Sequence, residues 1–460
     1  MATLFKRWTR GATSADASGT LAAAVTPPPV PPEQQRPAFF DSLWLDDEVP
    51  LRESDLPRFS AMASDDVDGS GEEPARARAR IALRDALGAS QPVITRDRFA
   101  GRHDALTQLI AAIEQQRVHV VVYGERGIGK TSLVHVFADT ARDARYIVLY
   151  GSCGTDGRFD ETFRAFAARI PMLYHRSVLP TTAAVEQALN FDTMLPAGSF
   201  GPRELSDLFA DIVGTRVVLI LDEYDRIADP NFRRDVAELI KNLSDRAARV
   251  QLVLTGVASN LDELIGFAPS IRRNIVGLPM RPLKTDEVGE ILRLGEDAFG
   301  LRFGDAAVAM IGTLAGGSPY LVRLIGHRAA MIAIDARRTE VDTSHARAAV
   351  ERVLTDWNST LPRRVQALLS RDEARAQWPL LVAAAEAGTY SDGWFVAADV
   401  AAERGAGVVP TAVEADLYGL ATPHNLLETD DRPGEPRFRY RFPGVASLLL
   451  MSASLARLTS

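Results

Sequence analysis

Cysteine is almost absent from this chain. The 460 residues include one cysteine, Cys153, which excludes an internal disulfide framework and favours a reducing, cytoplasmic setting. The seven histidines are scattered without the pairing that zinc ligands show, so a zinc site is not expected. No apolar run is long enough to cross a bilayer. The sequence is therefore typical of a soluble globular protein of about two to four domains.

An excess of positive charge is also lacking. The formal net charge of −8 at pH 7 argues against a protein that coats nucleic acid nonspecifically, but it leaves a local basic patch open. Residues 1–10 are basic and contain Leu4, Phe5 and Trp8, yet they lack the continuous apolar stretch of a signal peptide. A short amphipathic surface anchor is the alternative for this segment.

One segment carries a complete phosphate-binding motif. Residues 124–131 read GERGIGKT and match G-x-x-x-x-G-K-[ST], between an apolar run at 119–123 and a helical pattern at 132–138. The glycines let the backbone turn tightly and aim N–H groups at a polyphosphate, and the helix N-terminus adds partial positive charge. Lys130 is expected to reach the β- and γ-phosphates of ATP, and Thr131 to bind Mg²⁺. The predicted nucleotide-binding residues are Gly124, Gly127, Ile128, Gly129, Lys130, Thr131 and Ser132.

A second motif complements the phosphate loop. Residues 217–221 form a continuous apolar run, as in a parallel strand covered on both faces, and the run ends in Asp222 and Glu223. Asp222 is expected to hold Mg²⁺, and Glu223 to orient or deprotonate the attacking water. On its own, the Asp-Glu pair could equally start a solvated loop. Downstream of a phosphate loop, it predicts a site for ATP and Mg²⁺.

Strand-like runs alternate with helical patterns as far as residue 283. Further strands are predicted at 146–150, 251–256 and 275–279, with helices between them and another at 74–87. This alternation predicts an α/β fold with a parallel sheet. The predicted organisation is a disordered tail at 1–75, the P-loop domain at 76–283, a helical lid subdomain at 284–357 and a winged-helix domain at 358–460.

The two C-terminal units differ in pattern. Residues 285–353 read as helices only, with Thr285 as the cap of the first helix. Helical stretches near 374–387, 393–403 and 411–420 then precede strand-like runs at 425–428 and 437–442, which is the order of a winged helix.

The N-terminal tail combines prolines and acidic clusters with one apolar island. Residues 39–45 read FFDSLWL, within a segment too polar to build a core. The island either docks on a partner, folds back on the chain, or is an inert part of a linker. The tail and the winged helix are the predicted contacts for a protein partner.

On these residues the chain resembles the AAA+ P-loop ATPases of the origin-recognition type and the related signalling ATPases with numerous domains (STAND), from about residue 98 to 450. The resemblance implies ATP hydrolysis. Residues 99–102 (FAGR) resemble the entry motif that lies near the adenine in these proteins. Residues 255–260 (TGVASN) resemble the region of the sensor 1 polar residue, with Ser259 or Asn260 as the candidate and Thr255 as a weaker one.

Two further segments carry the resemblance. Arg272 and Arg273 fall where AAA+ proteins keep an arginine that completes a neighbour's site, which implies catalysis in trans and a nucleotide-dependent homo-oligomer. A solvated basic turn is the alternative. Residues 316–319 (GGSP) resemble the Gly-x-Pro signature of signalling ATPases. Tyr320 stands where a replication-type sensor 2 arginine is expected, and Arg323 is a poor substitute, which favours a nucleotide-gated switch over a replication initiator.

DNA binding is the less favoured role of the winged helix. Its third helix offers Glu414 and Asp416 without a basic residue, although phosphate contacts supply most of the affinity for DNA. Acidic residues also offset the four arginines of the wing, Arg432, Arg437, Arg439 and Arg441. The principal hypothesis is an ATPase switch, and the alternative is a DNA-associated protein that ATP clamps on DNA. The intact motif residues argue against a third reading, a scaffold that does not hydrolyse ATP.

Overall fold

The computed structural model describes residue 67 and residues 72–178, 189–258, 260–266, 271–389, 393–422, 424–430 and 435–459. Apart from residue 67 and residues 72–75, the predicted disordered tail, including the apolar island at 39–45, lies outside the described residues. Among the described helices, none combines the length and the apolar character needed to span a membrane.

A five-stranded parallel sheet organises the first half of the chain. Its strands are β1 (His119–Gly124), β2 (Ile147–Ser152), β3 (Val217–Asp222), β4 (Val250–Val257) and β5 (Ile275–Pro279), in the order β2-β3-β4-β1-β5. The predicted α/β fold with a parallel sheet is confirmed. Because all five strands run the same way, their carboxyl ends share one edge, which carries the phosphate loop after β1 and Asp222 at the end of β3.

Helices cover both faces of this sheet, and each face has its own apolar core. The helices are α2 (His103–Ala111), α3 (Lys130–Asp143), α4 (Phe159–Ala167), α5 (Pro202–Ala210), α6 (Pro230–Asp245) and α7 (Leu261–Ile265). Side chains alternate along β3: Val218 and Ile220 face the core under α3, while Val217, Leu219 and Leu221 face the core under α4 and α6. Burial on both faces explains why β3 is apolar at every position before Asp222.

The lid is built from α8 (Thr285–Phe299), α9 (Asp305–Leu314), α10 (Pro319–Asp335) and α11 (Thr343–Thr360). Helix α1 (Glu72–Leu87) packs on it, since Leu83 and Leu87 belong to its core. The prediction of helices only is wrong here, because β6 (Arg302–Phe303) and β7 (Glu340–Val341) form a parallel pair. Thr285 is the first residue of α8 rather than its cap; the carboxylate of Glu287 accepts the N–H of the cap residue, Lys284, at 2.7 Å.

The C-terminal unit is compatible with the predicted winged helix. It contains α12 (Arg363–Leu369), α13 (Asp372–Ala376), α14 (Trp378–Gly388), α15 (Ala397–Arg404), α16 (Pro410–Ala421) and α17 (Pro443–Thr459), with β8 (Trp394–Val396), β9 (Leu427–Asp430) and β10 (Arg437–Tyr440). The strands form an antiparallel sheet in the order β8-β10-β9. Two details of the prediction are wrong: the stretch at 374–387 is two helices, and residues 394–396 are a strand that pairs with β10.

Helix α17 connects this unit to the lid. Leu448 and Leu449 on α17 lie in the same continuous core as Val350 and Val353 on α11. The lid and the C-terminal unit therefore share one apolar core instead of meeting across a solvated joint.

Candidate functional site

The phosphate loop turns through backbone angles that favour glycine. Gly127 and Gly129 have φ of 78° and 97°, in the left-handed region, and α3 begins immediately afterwards at Lys130. A Cβ atom at Gly124 would lie 2.9 Å from the carbonyl oxygen of Met280, so the close passage of two backbones also requires glycine there. The loop thus presents N–H groups and a helix N-terminus to one cavity, as an anion site requires.

The side chain of Lys130 lies folded into its own loop. Its Nζ donates hydrogen bonds to the carbonyl oxygens of Gly124 at 2.8 Å and Glu125 at 2.7 Å. Burial lowers the pKa of Lys130, and the carboxylates of Asp225 and Asp222 oppose this shift. A phosphate in the loop would replace the two carbonyl contacts with charge-assisted hydrogen bonds.

Asp222 is held in place by three donors. Its carboxylate accepts hydrogen bonds from the hydroxyl of Tyr150 at 2.7 Å, from the hydroxyl of Thr255, and from the N–H of Glu223 at 2.9 Å. Burial, and then the hydrogen bond to Asp222, raise the pKa of Tyr150, so its hydroxyl stays protonated and donates. Asp222 is 3% exposed and therefore has a defined orientation at the carboxyl edge of the sheet.

Glu223 follows in an unusual conformation. Its φ of 54° places a residue other than glycine in the left-handed region, a form of local strain that clusters at functional sites. Its Oε2 accepts hydrogen bonds from the Ser152 hydroxyl at 3.0 Å and from the Arg226 guanidinium at 2.7 Å. The side chain is 47% exposed and faces the cavity that the phosphate loop borders.

That cavity has a volume of about 580 Å³ and lies between the sheet and the lid. The sheet domain contributes Gly127, Gly129, Lys130, Thr131, Ser132, Asp222 and Glu223, and the lid contributes Ile291, Pro319, Tyr320 and Arg323. The two units touch where the Ser318 hydroxyl donates to the carbonyl oxygen of Gly127 at 3.3 Å. The volume lies within the range of about 300–1,000 Å³ that is typical of small-molecule sites.

The entry segment lines the same cavity. Phe99, Ala100 and Arg102 border it, and Arg102 donates to the carbonyl oxygen of Ile128 at 3.2 Å. The Nε of Arg102 is buried without a hydrogen-bond partner, and burial lowers the pKa of this guanidinium to about 10. An unsatisfied donor inside the cavity fits a polar ligand such as a nucleotide.

Arg323, on the lid helix α10, forms hydrogen bonds with two backbone carbonyl groups. Its two terminal nitrogens donate to the carbonyl oxygens of Ala86 and Arg98, each at 2.7 Å. Burial lowers its pKa to about 10. The side chain therefore ties α1 and the entry segment to the lid, and Tyr320 occupies the neighbouring position at the cavity with 41% exposure.

Some of the other predicted binding residues do not line the cavity themselves. Ile128 is 3% exposed in the core under α3, and Gly124 is not among the cavity-lining residues. The Ser132 hydroxyl, which borders the cavity, accepts the N–H of Val93 at 3.1 Å and so holds the 89–93 segment over the site.

Mg²⁺ fits the donors that this edge presents. No group of three or more His, Cys, Asp or Glu side chains within the described ranges is placed to hold a metal ion by itself. Mg²⁺ usually takes only one or two protein oxygens together with substrate phosphates and water. The Thr131 hydroxyl and the Asp222 carboxylate, on the same cavity, are such a pair.

Of the two sensor 1 candidates that the structure describes, only the weaker one contacts a site residue. Ser259 lies outside the described residues. Asn260 caps α7, where it accepts the N–H of Glu263 at 3.1 Å. Thr255, the weaker candidate, is fully buried and donates to Asp222.

Arg272 and Arg273 lie away from the cavity. They precede β5, whose first residue pairs with His119, so they lie at the amino edge of the sheet. Arg272 forms an ion pair with Asp262 at 2.6 Å, and Arg273 approaches Asp245 at 3.9 Å. Neither is placed to reach the nucleotide cavity of its own chain.

Sequence reasoning missed Tyr150, Ser152 and Arg226. Tyr150 and Ser152 lie near the carboxyl end of β2, next to β3 in the sheet, and that position was the available signal. The contact of Arg226 with Glu223 depends on the short helical turn at 224–226.

Comparison with known proteins agrees with this geometry. Residues 98–255 match the family model described as the AAA ATPase domain. Among solved structures, the chain is similar to Cdc6p of Pyrobaculum aerophilum, with 15% identity, a TM-score of 0.41, and coverage of 82% of this chain and 98% of that one. It is also similar to the Holliday junction branch migration motor RuvB of Thermotoga maritima, with 16% identity, a TM-score of 0.40, and coverage of 78% and 96%.

A third solved structure is the Orc1 protein of Aeropyrum pernix in complex with DNA, with 16% identity, a TM-score of 0.39, and coverage of 82% and 98%. No curated protein matches the chain significantly. The phosphate loop and the Asp222–Glu223 pair both fall within residues 98–255, the segment that matches the model of the AAA ATPase domain.

Proposed function

We propose that this chain is a Mg²⁺-dependent ATPase that works as a nucleotide-gated switch. The observation that carries the proposal is the position of the cavity, which is bordered by the phosphate loop on one side and by the lid helix α10 on the other. A nucleotide there changes the contacts of both units. Because the lid shares its core with the C-terminal unit, a movement of α10 extends to the far end of the chain.

Each residue at the site has a distinct task in hydrolysis. Lys130 leaves the carbonyl oxygens of its loop to bind the phosphates. Thr131 and Asp222 would hold the Mg²⁺, which would neutralise charge on the phosphates. Glu223 accepts the proton of the attacking water through Oε1, the oxygen that is not engaged by Ser152 and Arg226.

The first test replaces Lys130 with alanine. Lys130→Ala should weaken ATP binding by about 100-fold, because charged hydrogen bonds to the phosphates are lost. Calorimetry on the full chain measures this, and Lys241→Ala on the exposed side of α6 is the matched control. Unchanged ATP affinity in a folded Lys130→Ala protein would contradict the site assignment.

The second test replaces Glu223 with glutamine. Glu223→Gln should retain ATP but hydrolyse it about 100- to 10,000-fold more slowly, because the amide cannot accept a proton. Steady-state phosphate release measures turnover, and Glu238→Gln on α6 is the control. If the Glu223→Gln variant turns over ATP as fast as the wild type, Glu223 is not the general base and has only a structural role.

The switch itself is tested by hydrogen exchange. Amides at the start of α10 should be better protected with a slowly hydrolysed ATP analogue than with ADP, because Ser318 contacts the phosphate loop and Tyr320 lines the same cavity, so a third phosphate adds contacts there. Equal amide protection with the ATP analogue and with ADP would show that the contacts of the lid do not depend on which nucleotide is bound.

The contacts of the wing favour this role over a DNA clamp. Arg439 pairs with Glu428 at 2.8 Å and, like Arg437, lies against the ring of Trp394, while Asp416 is exposed on α16. ATP-dependent retention on duplex DNA that weakens along a salt series would support the clamp instead.

A further inference from the structure

A row of arginines marks the edge of the sheet opposite the nucleotide cavity. Arg216 directly precedes β3 and Arg249 directly precedes β4, while Arg117 and Arg273 stand two residues before β1 and β5. These four strands are consecutive neighbours in the sheet. With neighbouring strands about 4.8 Å apart, the row is about 14 Å long.

The four arginines border one cavity of about 320 Å³. Arg273 approaches Asp245 at 3.9 Å. Within the described ranges, the guanidinium groups of Arg117, Arg216 and Arg249 form no ion pair and no hydrogen bond. Positive charge at this edge is therefore concentrated and largely uncompensated, in a chain whose net charge is −8.

Two amides in the same cavity lack partners. Gln251 is 2% exposed and its Oε1 accepts no hydrogen bond, although the residue lies on β4 and borders the cavity. The Nδ2 of Asn274 is also buried without a partner and borders the cavity. A buried polar atom without a partner is costly. The Nδ2 of Asn274 is a donor that a phosphate oxygen would satisfy, whereas the Oε1 of Gln251 is an acceptor that needs a donor and does not bear on an anionic ligand.

We propose that this cavity, which we call the arginine cavity, binds a small molecule that carries two or more phosphate groups. The planar guanidinium group donates two parallel hydrogen bonds to a phosphate, so a row of four suits a ligand with several negative charges in a small volume. The cavity is at the lower end of the size range of small-molecule sites, which favours a compact ligand over a protein segment.

The arginine cavity is separate from the site of hydrolysis. It lies at the amino ends of the strands, whereas Lys130 and Asp222 lie beyond the carboxyl ends of β1 and β3. Binding there can therefore be measured in a chain whose phosphate loop is disabled by Lys130→Ala, and the proposal stands whether or not the chain hydrolyses ATP.

The test is calorimetric titration of the full chain with inorganic tripolyphosphate, without nucleotide and without added divalent cation. Every titrated protein carries Lys130→Ala, so that the phosphate loop does not compete for the ligand. The chain with wild-type arginines should bind tripolyphosphate, and the Arg216→Gln/Arg249→Gln double variant should bind it at least about tenfold more weakly, since two charged contacts are lost. Arg293→Gln/Arg404→Gln removes the same charge from exposed positions elsewhere and should leave the affinity unchanged.

Two further measurements distinguish the loss of ligand contacts from misfolding of the variant. Turnover, measured with Lys130 intact, and thermal unfolding of the Arg216→Gln/Arg249→Gln variant should match the wild type. The exposed Arg117→Gln single variant repeats the affinity test if the double variant unfolds. Equal tripolyphosphate affinity in the double variant and in the chain with wild-type arginines, or no binding to the latter, overturns the proposal. Tighter binding of a short single-stranded DNA than of tripolyphosphate, lost in the double variant, would assign the arginines to a nucleic-acid backbone and overturn the small ligand.

Discussion

At the scale of single residues, the pair of Arg226 and Glu223 controls the proposed general base. The guanidinium group donates to Oε2 at 2.7 Å, alongside the Ser152 hydroxyl. Both contacts hold Oε2 in one position. The structure therefore shows Glu223 with its side-chain orientation restrained by Ser152 and Arg226.

Replacement of Arg226 with glutamine should release this restraint. We expect Arg226→Gln to raise turnover at saturating ATP by about 2- to 10-fold, because the carboxylate of Glu223 can then turn more freely towards the attacking water. Steady-state kinetics measures kcat and KM, and Arg234→Gln, which breaks the exposed pair with Asp235, is the control. A large fall in kcat would instead assign Arg226 to the stabilisation of the transition state.

At the scale of elements, β1 and β4 are joined by a side chain as well as by the sheet. His119 on β1 is 3% exposed, and its Nδ1 accepts the N–H of Leu252 on β4 at 2.9 Å. Burial lowers the pKa of His119 to about 4, from an ordinary value of 6.5, so the folded protein holds this imidazole neutral.

This histidine makes stability depend on pH. The unfolded chain takes up a proton near pH 6.5 and the folded chain only near pH 4, so stability is fully present above pH 6.5 and falls as pH drops towards 4. The loss between pH 7 and pH 5 should be about 2 kcal/mol. Denaturant unfolding at both values measures it, and His119→Asn, which keeps an acceptor without the titration, should show a smaller pH effect.

The elements also show what sequence can predict. The strands β1 to β5 were placed within one or two residues, because each contains a run of apolar residues, and in β3 every position is buried. The strands β6, β7 and β8 were missed, since two or three residues carry no periodicity and only their partners define them. The same limit explains why the contact between Tyr150 and Asp222 was not predicted. The two residues are 72 positions apart, and only the order of the strands in the sheet brings them together.

At the scale of the whole molecule, packed helices connect the phosphate loop with the C-terminal unit. Ser318 at the start of α10 touches the phosphate loop, and the core that α10 shares with α11 continues into α17. The sequence indicated a lid and a winged helix but not this shared core, because apolar spacing within a helix does not say which other helix covers it.

Arg272 and Arg273 are the residues that we propose act on a neighbouring copy of the chain. Because they lie at the amino edge of the sheet, they can act on a γ-phosphate only in another chain. If they do, replacement of both with alanine should lower turnover by about 1,000-fold while ATP affinity is kept. Turnover of the wild type should also rise more than linearly with protein concentration, because a competent site needs two chains.

A mixing experiment separates this role from a solvated turn. The Arg272→Ala/Arg273→Ala variant keeps Glu223, and Glu223→Gln keeps both arginines, so a mixture contains interfaces at which one chain supplies what the other lacks. Activity should partly return on mixing. The Arg216→Gln/Arg249→Gln variant, altered at the same edge of the sheet, should keep wild-type turnover alone. If turnover rises linearly with protein concentration and mixing restores no activity, each chain hydrolyses ATP by itself. Arg272 would then only form its ion pair with Asp262.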